Sequence, residues 1–201
     1  MKLISHRRNT LEELKQTPSK YGVEVDIRSY ADKLIIHHDP YIAGNSFEEW
    51  VSEYKNGTLI LNVKEEGLEQ RVIQLMEKYG IEDYFFLDQS FPFLIKWSNL
   101  GVNRAAVRVS EFETIETALT LAGKVDWVWV DCFTRFPLST EEAKTLKQAG
   151  FKLCLVSPEL QGRDAEKEIP KWIQLLKKLK ITPDAICTKR PDLWEKWEVQ
   201  S

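Results

Sequence analysis

Cysteine is scarce in this sequence, and the three present, Cys132, Cys154 and Cys187, are far apart and embedded in apolar runs. An odd number at such spacing excludes a disulfide framework and matches no zinc site, so they read as small buried core residues. Long apolar runs are missing too. No stretch approaches the about 18 consecutive apolar residues of a membrane-spanning helix, and the apolar patch of the opening Met1-Lys-Leu-Ile-Ser-His6 is too short for a secretory signal. The expected location is the cytoplasm, with no stable membrane insertion. Nor is there an excess of one charge: 28 basic against 31 acidic residues give a formal charge of -3, without a like-charge tail. That balance argues against nucleic acid or an anionic membrane surface as the main partner. A glycine-rich nucleotide loop is also absent after every expected strand.

What is present is a core-forming chain with a regular rhythm. At 201 residues, 43% hydrophobic and 11% aromatic, the sequence can bury one sizeable core, and residues 1–201 are expected to form one domain. Short β-rich runs alternate with helical patterns. Strands are expected at Lys2–Ser5, Gly22–Ile27, Thr58–Val63, Asp83–Leu87, Arg104–Val109, Trp127–Val130, Lys152–Val156 and Ala185–Cys187. Thr10 with Glu13, and Ser46 with Glu49, have capping-box spacing at helix starts, and further helices are expected near 68–79, 91–99, 113–121, 140–149 and 164–179. Eight such units predict an α/β fold of the compact (β/α)8 TIM-barrel type, with an open doubly wound sheet as the alternative. A barrel also predicts where chemistry lies, at the C-terminal ends of its strands.

The stretch from Tyr21 to Pro40 concentrates that chemistry. Side chains alternate along a strand, so Glu24 and Asp26 share one face while Val23, Val25 and Ile27 fill the other. Two carboxylates about 7 Å apart repel unless a cation, a shared proton or basic side chains compensate them, and a hard divalent metal would suffice. A turn near Asp32 returns the chain through Leu34-Ile35-Ile36 and delivers His37-His38-Asp39 beside them. The plainer reading is a half-buried strand with Glu24 and Asp26 on its solvated face. Other strand ends add His6 and Arg7, Asn62 and Lys64, Arg108 and Lys189. Asp88, Ser90, Asp131 and Cys132 read instead as strand-end residues that begin the following helices. Two imidazoles, two carboxylates and several cations suit phosphoester cleavage, in which cations neutralise the phosphate and imidazoles exchange protons.

Ser5-His6-Arg7-Arg8, Glu24-Val25-Asp26, His38-Asp39-Pro40 and Asn62-Val63-Lys64 together resemble the glycerophosphodiester phosphodiesterases. These share their barrel with the phosphatidylinositol-specific phospholipase C-like enzymes. The family pattern is His-Arg-Gly, Glu-x-Asp, His-Asp and Glu-x-Lys in this order. Leu87-Asp-Gln-Ser-Phe91 and the closing Ala185-Ile-Cys-Thr-Lys-Arg-Pro191 are weaker echoes. The resemblance implies His6 and His38 as the acid–base pair, and Glu24 and Asp26, with Asn62, as ligands of a Ca²⁺ or Mg²⁺ ion. It implies Arg7 and Lys64 as phosphate contacts, and a small phosphodiester of lipid metabolism as substrate. The chain departs from the pattern at Asn62, where a third carboxylate is usual, at Arg8 in place of glycine, and at Lys189 in place of aspartate. It also lacks much of the family's inserted substrate-binding segment. Those departures motivate an alternative, a degenerate barrel that binds a phosphate-bearing ligand without cleaving it.

Overall fold

The computed structural model describes residues 1–196, so residues 197–201 of the expected 1–201 domain lie outside the described residues. In chain order the elements are β1 (Lys2–Ser5), α1 (Leu11–Gln16), β2 (Gly22–Tyr30), β3 (Lys33–Ile36), β4 (Asn45–Ser46), α2 (Phe47–Ser52), β5 (Leu59–Val63) and α3 (Glu69–Lys78). There follow β6 (Tyr84–Leu87), α4 (Phe91–Asn99), β7 (Ala106–Val109), α5 (Ile115–Leu119), β8 (Trp127–Val130), α6 (Thr140–Gln148), β9 (Lys152–Val156), α7 (Ala165–Leu179), β10 (Ala185–Thr188) and α8 (Pro191–Trp194). Among the described residues no helix is long and apolar enough to cross a membrane.

The strands curl into one sheet. Parallel ladders run from β6 through β5, β2, β1, β10, β9 and β8 to β7, while β3 and β4 extend antiparallel from the projecting half of β2. The two ends of this curl, β6 and β7, meet through a single parallel bridge, Phe86 with Ala105, where the Phe86 N–H donates to Arg104 O at 2.9 Å. The strand order and direction expected of a barrel are therefore found, but the sheet is a curled wall that no ladder closes at this seam. The cause is local. The Ala105 N–H turns back to Asn103 O at 2.8 Å, and the carbonyls of Asn103 and Ala105 accept from Asp126 and Trp127 on the β8 side.

Burial explains why these segments are strands. β5, β6, β8 and β10 are buried along their whole length, as in parallel sheets covered on both faces. Inside the curl, Ile4, Ile60, Phe85, Trp127, Cys154 and Cys187 belong to one apolar cluster, in which the Phe85 and Trp127 rings stack at 4.6 Å. Outside it, the helices pack their apolar stripes on the opposite strand faces, including Val23, Val25 and Ile27 of β2. All three cysteines are buried and free, as expected. Gly22 has a steric reason: a Cβ there would stand 2.4 Å from Thr58 O, so only glycine lets β2 approach the chain entering β5.

The helix starts follow the capping chemistry. Thr10 accepts from the Glu13 N–H while the Glu13 carboxylate accepts from the Thr10 N–H, completing the box on α1. Ser46 accepts from the Glu49 N–H at 3.3 Å and caps α2 from one side only.

Candidate active site

The inward faces of β1, β2 and β5 carry the polar cluster. Glu24 and Asp26 are fully buried, which overturns the plainer reading: the inner face of a curled wall has no solvated side to offer them. Asp26 and Asn62 are register partners on β2 and β5, and the Asn62 side-chain amide donates to Glu24 Oε1 at 2.7 Å. The other Glu24 oxygen, Oε2, accepts from the Arg7 N–H at 2.7 Å and lies 3.7 Å from His6 Nε2. Arg7 is held in a left-handed turn, φ +50°, which costs a non-glycine residue about 1 kcal/mol and aims its N–H at Glu24. Arg8, at the position where a glycine is usual, is not among the left-handed residues; its N–H and carbonyl are both bonded, to Glu24 O and Trp50 Nε1.

Cations surround the second carboxylate. Asp26 Oδ2 lies 3.3 Å from Arg7 Nε, and Asp26 Oδ1 lies 3.5 Å from Lys64 Nζ. Lys64 also donates to Asp88 at 2.9 Å, and Asp88 pairs with Arg108, which reaches toward Asp131 at 3.8 Å. Asp88 is thus a bridge between two cations and not the helix cap its position suggested. Burial works against its ionised form, but Lys64 and Arg108 outweigh it and hold the carboxyl below its usual range.

Burial sets the protonation of the centre. It pushes Glu24 up to about 7, with the Asp26 charge adding to the effect. It pulls His6 down to about 3, helped by Arg7, Lys189, Lys64 and Arg8, so the imidazole is neutral at pH 7.

His38 is not hydrogen-bonded into this cluster. It is 43% exposed, its Nδ1 lies 2.8 Å from Asp39 Oδ1, and among the described residues no hydrogen bond or ion pair joins it to His6, Glu24 or Asp26. Its backbone is nonetheless tied to the mouth, because the Arg28 guanidinium donates both to His38 O at 2.9 Å and to Lys64 O at 3.0 Å.

Two positioning residues escaped the sequence reading. Asn9 clamps Asp26 twice, donating to Oδ2 at 2.9 Å and accepting from its N–H at 3.1 Å. Arg28 joins the arm carrying His38 to the end of β5. Asn9 precedes a helix cap, where a polar residue is ordinary, and nothing local announces its partner seventeen positions on.

The donor set fits a hard cation. Among the described residues no three His, Cys, Asp or Glu side chains converge as a metal cluster. Asn62 could offer a neutral amide oxygen beside the two carboxylates. Asp26 Oδ1 and Asn62 Oδ1 are both buried without a hydrogen-bond partner, and two carboxylates with an amide oxygen match the preference of Ca²⁺ and Mg²⁺.

One rim contact yields a pH prediction. Glu111, after β7, accepts from the N–H groups of Thr134 and Arg135 through Oε1, each at 2.6 Å, and from the Phe133 N–H through Oε2 at 3.2 Å. Burial opposes ionisation, but these backbone donors prevail and lower its carboxyl from 4.5 to about 2. A depressed pKa contributes stability that is present above pH 4.5 and lost as pH falls toward 2. Wild type should therefore exceed Glu111→Gln in urea stability at neutral pH, and the difference should vanish in acid. Parallel pH profiles for the two proteins would refute this contribution of Glu111.

No family model matches the sequence, and no curated protein matches it significantly. Solved structures do match. A glycerophosphodiester phosphodiesterase from Agrobacterium tumefaciens superposes with a TM-score of 0.66 at 14% identity, over 98% of this chain and 99% of that one. A glycerophosphoryl diester phosphodiesterase from Parabacteroides distasonis gives 0.64 at 14% identity, over 99% of this chain and 86% of that one. At such identities the likeness is one of fold: this chain has the fold of those enzymes over nearly its whole length.

Proposed function

We propose that this chain is a divergent glycerophosphodiester phosphodiesterase, a single (β/α)8-barrel domain spanning residues 1–201 that hydrolyses a small phosphodiester of lipid metabolism in the cytoplasm. The observation that carries the reading is the buried cluster of His6, Glu24, Asp26, Asn62 and Lys64 at the C-terminal ends of β1, β2 and β5. A carboxylate pair, a neutral imidazole and facing cations in so small a volume suit phosphoester cleavage, in which cations neutralise the phosphate and an imidazole moves a proton.

Glu24, Asp26 and Asn62 would hold a divalent cation, which would supply Lewis-acid neutralisation of the phosphate charge. Arg7 and Lys64 bind the phosphate oxygens and orient the diester. His6, held with its Nε2 3.7 Å from Glu24, takes the proton from the attacking water or substrate hydroxyl as the new P–O bond forms. His38, at the mouth on the Arg28-anchored arm, returns a proton to the leaving alkoxide as the old P–O bond breaks.

The metal assignment has its own test. An added negative charge beside a divalent ion is strongly favourable where the effective dielectric is low, so Asn62→Glu should tighten Ca²⁺ or Mg²⁺ binding in calorimetric titration, by at least tenfold. Equal affinities would remove Asn62 from the ligand set. The activity itself is tested by release of p-nitrophenol from bis(p-nitrophenyl) phosphate, with divalent ion and again after chelation. Release that depends on the ion is expected. Phosphate binding without release under any ion would favour the degenerate, ligand-binding barrel.

A further inference from the structure

Asp26 Oδ1 is buried without a hydrogen-bond partner although the Lys64 ammonium lies 3.5 Å from it. The ammonium is already engaged. It donates to Asp88 Oδ2 at 2.9 Å, and among the described residues Asp26 and Asp88 are its only ion-pair partners. The ladders set up this choice: β5 lies between β2 and β6, so Lys64, just past β5, stands between Asp26 of β2 and Asp88, which follows β6.

The backbone is bent to make the Asp88 contact. Leu87 belongs to the interior cluster, so an extended continuation of β6 would turn Asp88 to the other face of the sheet. Asp88 instead takes a left-handed conformation, φ +60°, which aspartate tolerates better than most residues but which persists only where the surroundings over-determine it. The next two strands do so. Arg108 pairs with Asp88 Oδ1 and reaches toward Asp131 at 3.8 Å, and Asp131 Oδ1 is fixed by Gln161 Nε2 at 2.7 Å and the Cys132 N–H at 2.9 Å. Asp88 is thus braced from β7 and β8, and it passes that restraint to Lys64.

Without Asp88, Lys64 would be left with Asp26 alone. An ammonium that closes on Asp26 Oδ1 takes the lone pairs a hard cation would use and sets a like charge beside that cation. It is also withdrawn from the phosphate. Resting on the phosphodiesterase reading, we infer that Asp88 is a positioning residue: by taking the Lys64 hydrogen bond it keeps Asp26 Oδ1 open for the divalent ion and the ammonium available to the phosphate.

The test is a double-mutant cycle between Asp88→Gly and Lys64→Met, read by calorimetric titration of Ca²⁺ and Mg²⁺ and by kcat and KM on bis(p-nitrophenyl) phosphate. Glycine adopts the left-handed conformation freely, so Asp88→Gly removes the carboxylate without straining the turn. It should weaken metal binding by about 10–100-fold, the usual cost of losing a group that orients a site from outside its ligand set, and it should raise KM. Lys64→Met should bind the ion at least as tightly as wild type, because the competitor for Asp26 is gone, while KM rises here too. Adding Asp88→Gly to Lys64→Met should then change metal affinity by less than about twofold. A carboxylate acting directly on the ion would matter in both backgrounds, so equal losses with and without Lys64 would overturn the inference and leave the phosphodiesterase reading standing. Weaker metal binding by Lys64→Met would overturn it as well, without recourse to any Asp88 variant. If metal affinity follows the predicted cycle but wild type cleaves no diester with either ion, the restraint on Lys64 stands and the phosphodiesterase reading falls.

Discussion

Replacing His6 with alanine is expected to lower turnover of a diester such as glycerophosphocholine by about 10²–10⁴-fold, the usual contribution of a positioned proton-transfer group. His6 follows β1 with its Nε2 3.7 Å from Glu24 and its buried Nδ1 without a hydrogen-bond partner, so no structural hydrogen bond commits the imidazole. The fold should not suffer. Glu24 keeps its bonds from Asn62 and the Arg7 N–H when the imidazole is removed, so thermal unfolding should stay within a few degrees of wild type. His38→Ala should cost a similar factor. Because both imidazoles act in one transition state, the double variant should lose far less than the product of the single losses. Wild-type turnover in a folded His6→Ala protein would remove proton transfer from this residue.

The largest stability effect is expected at Trp50, which is fully buried between Phe47, at 6.2 Å between ring centroids, and Tyr54, at 5.6 Å. Trp50→Ala removes that ring and leaves a cavity, which should cost about 3–5 kcal/mol in urea unfolding. The same side chain reaches the site. Its Nε1–H donates to Arg8 O at 2.9 Å, so it holds the turn that aims the Arg7 N–H at Glu24. Trp50→Phe keeps most of the packing but abandons that carbonyl, at a cost of about 1–3 kcal/mol, and should also lower turnover. An alanine variant that unfolds within about 1 kcal/mol of wild type would contradict the packing described for α2.

Much of the wall was legible because parallel strands buried on both faces are continuous apolar runs, and Trp127–Val130 or Lys152–Val156 admits little else. What the sequence could not show was closure. Arg104 and Ala105 read as the start of a strand, yet they spend their hydrogen bonds on Asn103 and the β8 side and leave one bridge to β6. No local pattern encodes the register at which the two ends of a curled sheet meet. The helix α8, four residues long, was expected after the last strand but without a range, for a related reason: tertiary burial of Trp194, whose Nε1–H donates to Ser157 Oγ at 2.7 Å, secures it, and it has no period to read.

The site was legible to the extent that strand alternation places side chains. Glu24 and Asp26 share the inner face with their β5 neighbour Asn62, as spacing implied, and Lys64 joins them two residues further on. Spacing says nothing about partners across a ring, which is why Asn9, Arg28 and the Lys64–Asp88–Arg108 chain emerge only in three dimensions. His38 marks the opposite case. Its sequence position implied a place next to Glu24 and Asp26, and the hydrogen bond it makes is to its own neighbour Asp39, with its side chain 43% exposed.

The most direct measurement is phosphorus NMR of glycerophosphocholine incubated with the purified protein and Ca²⁺ or Mg²⁺, with Glu24→Gln as the parallel sample. Conversion of the diester resonance to a phosphomonoester by wild type, and its loss in the variant, is the predicted result. A diester resonance that persists unchanged with the wild-type protein, across both ions and a panel of other diesters, would contradict the account.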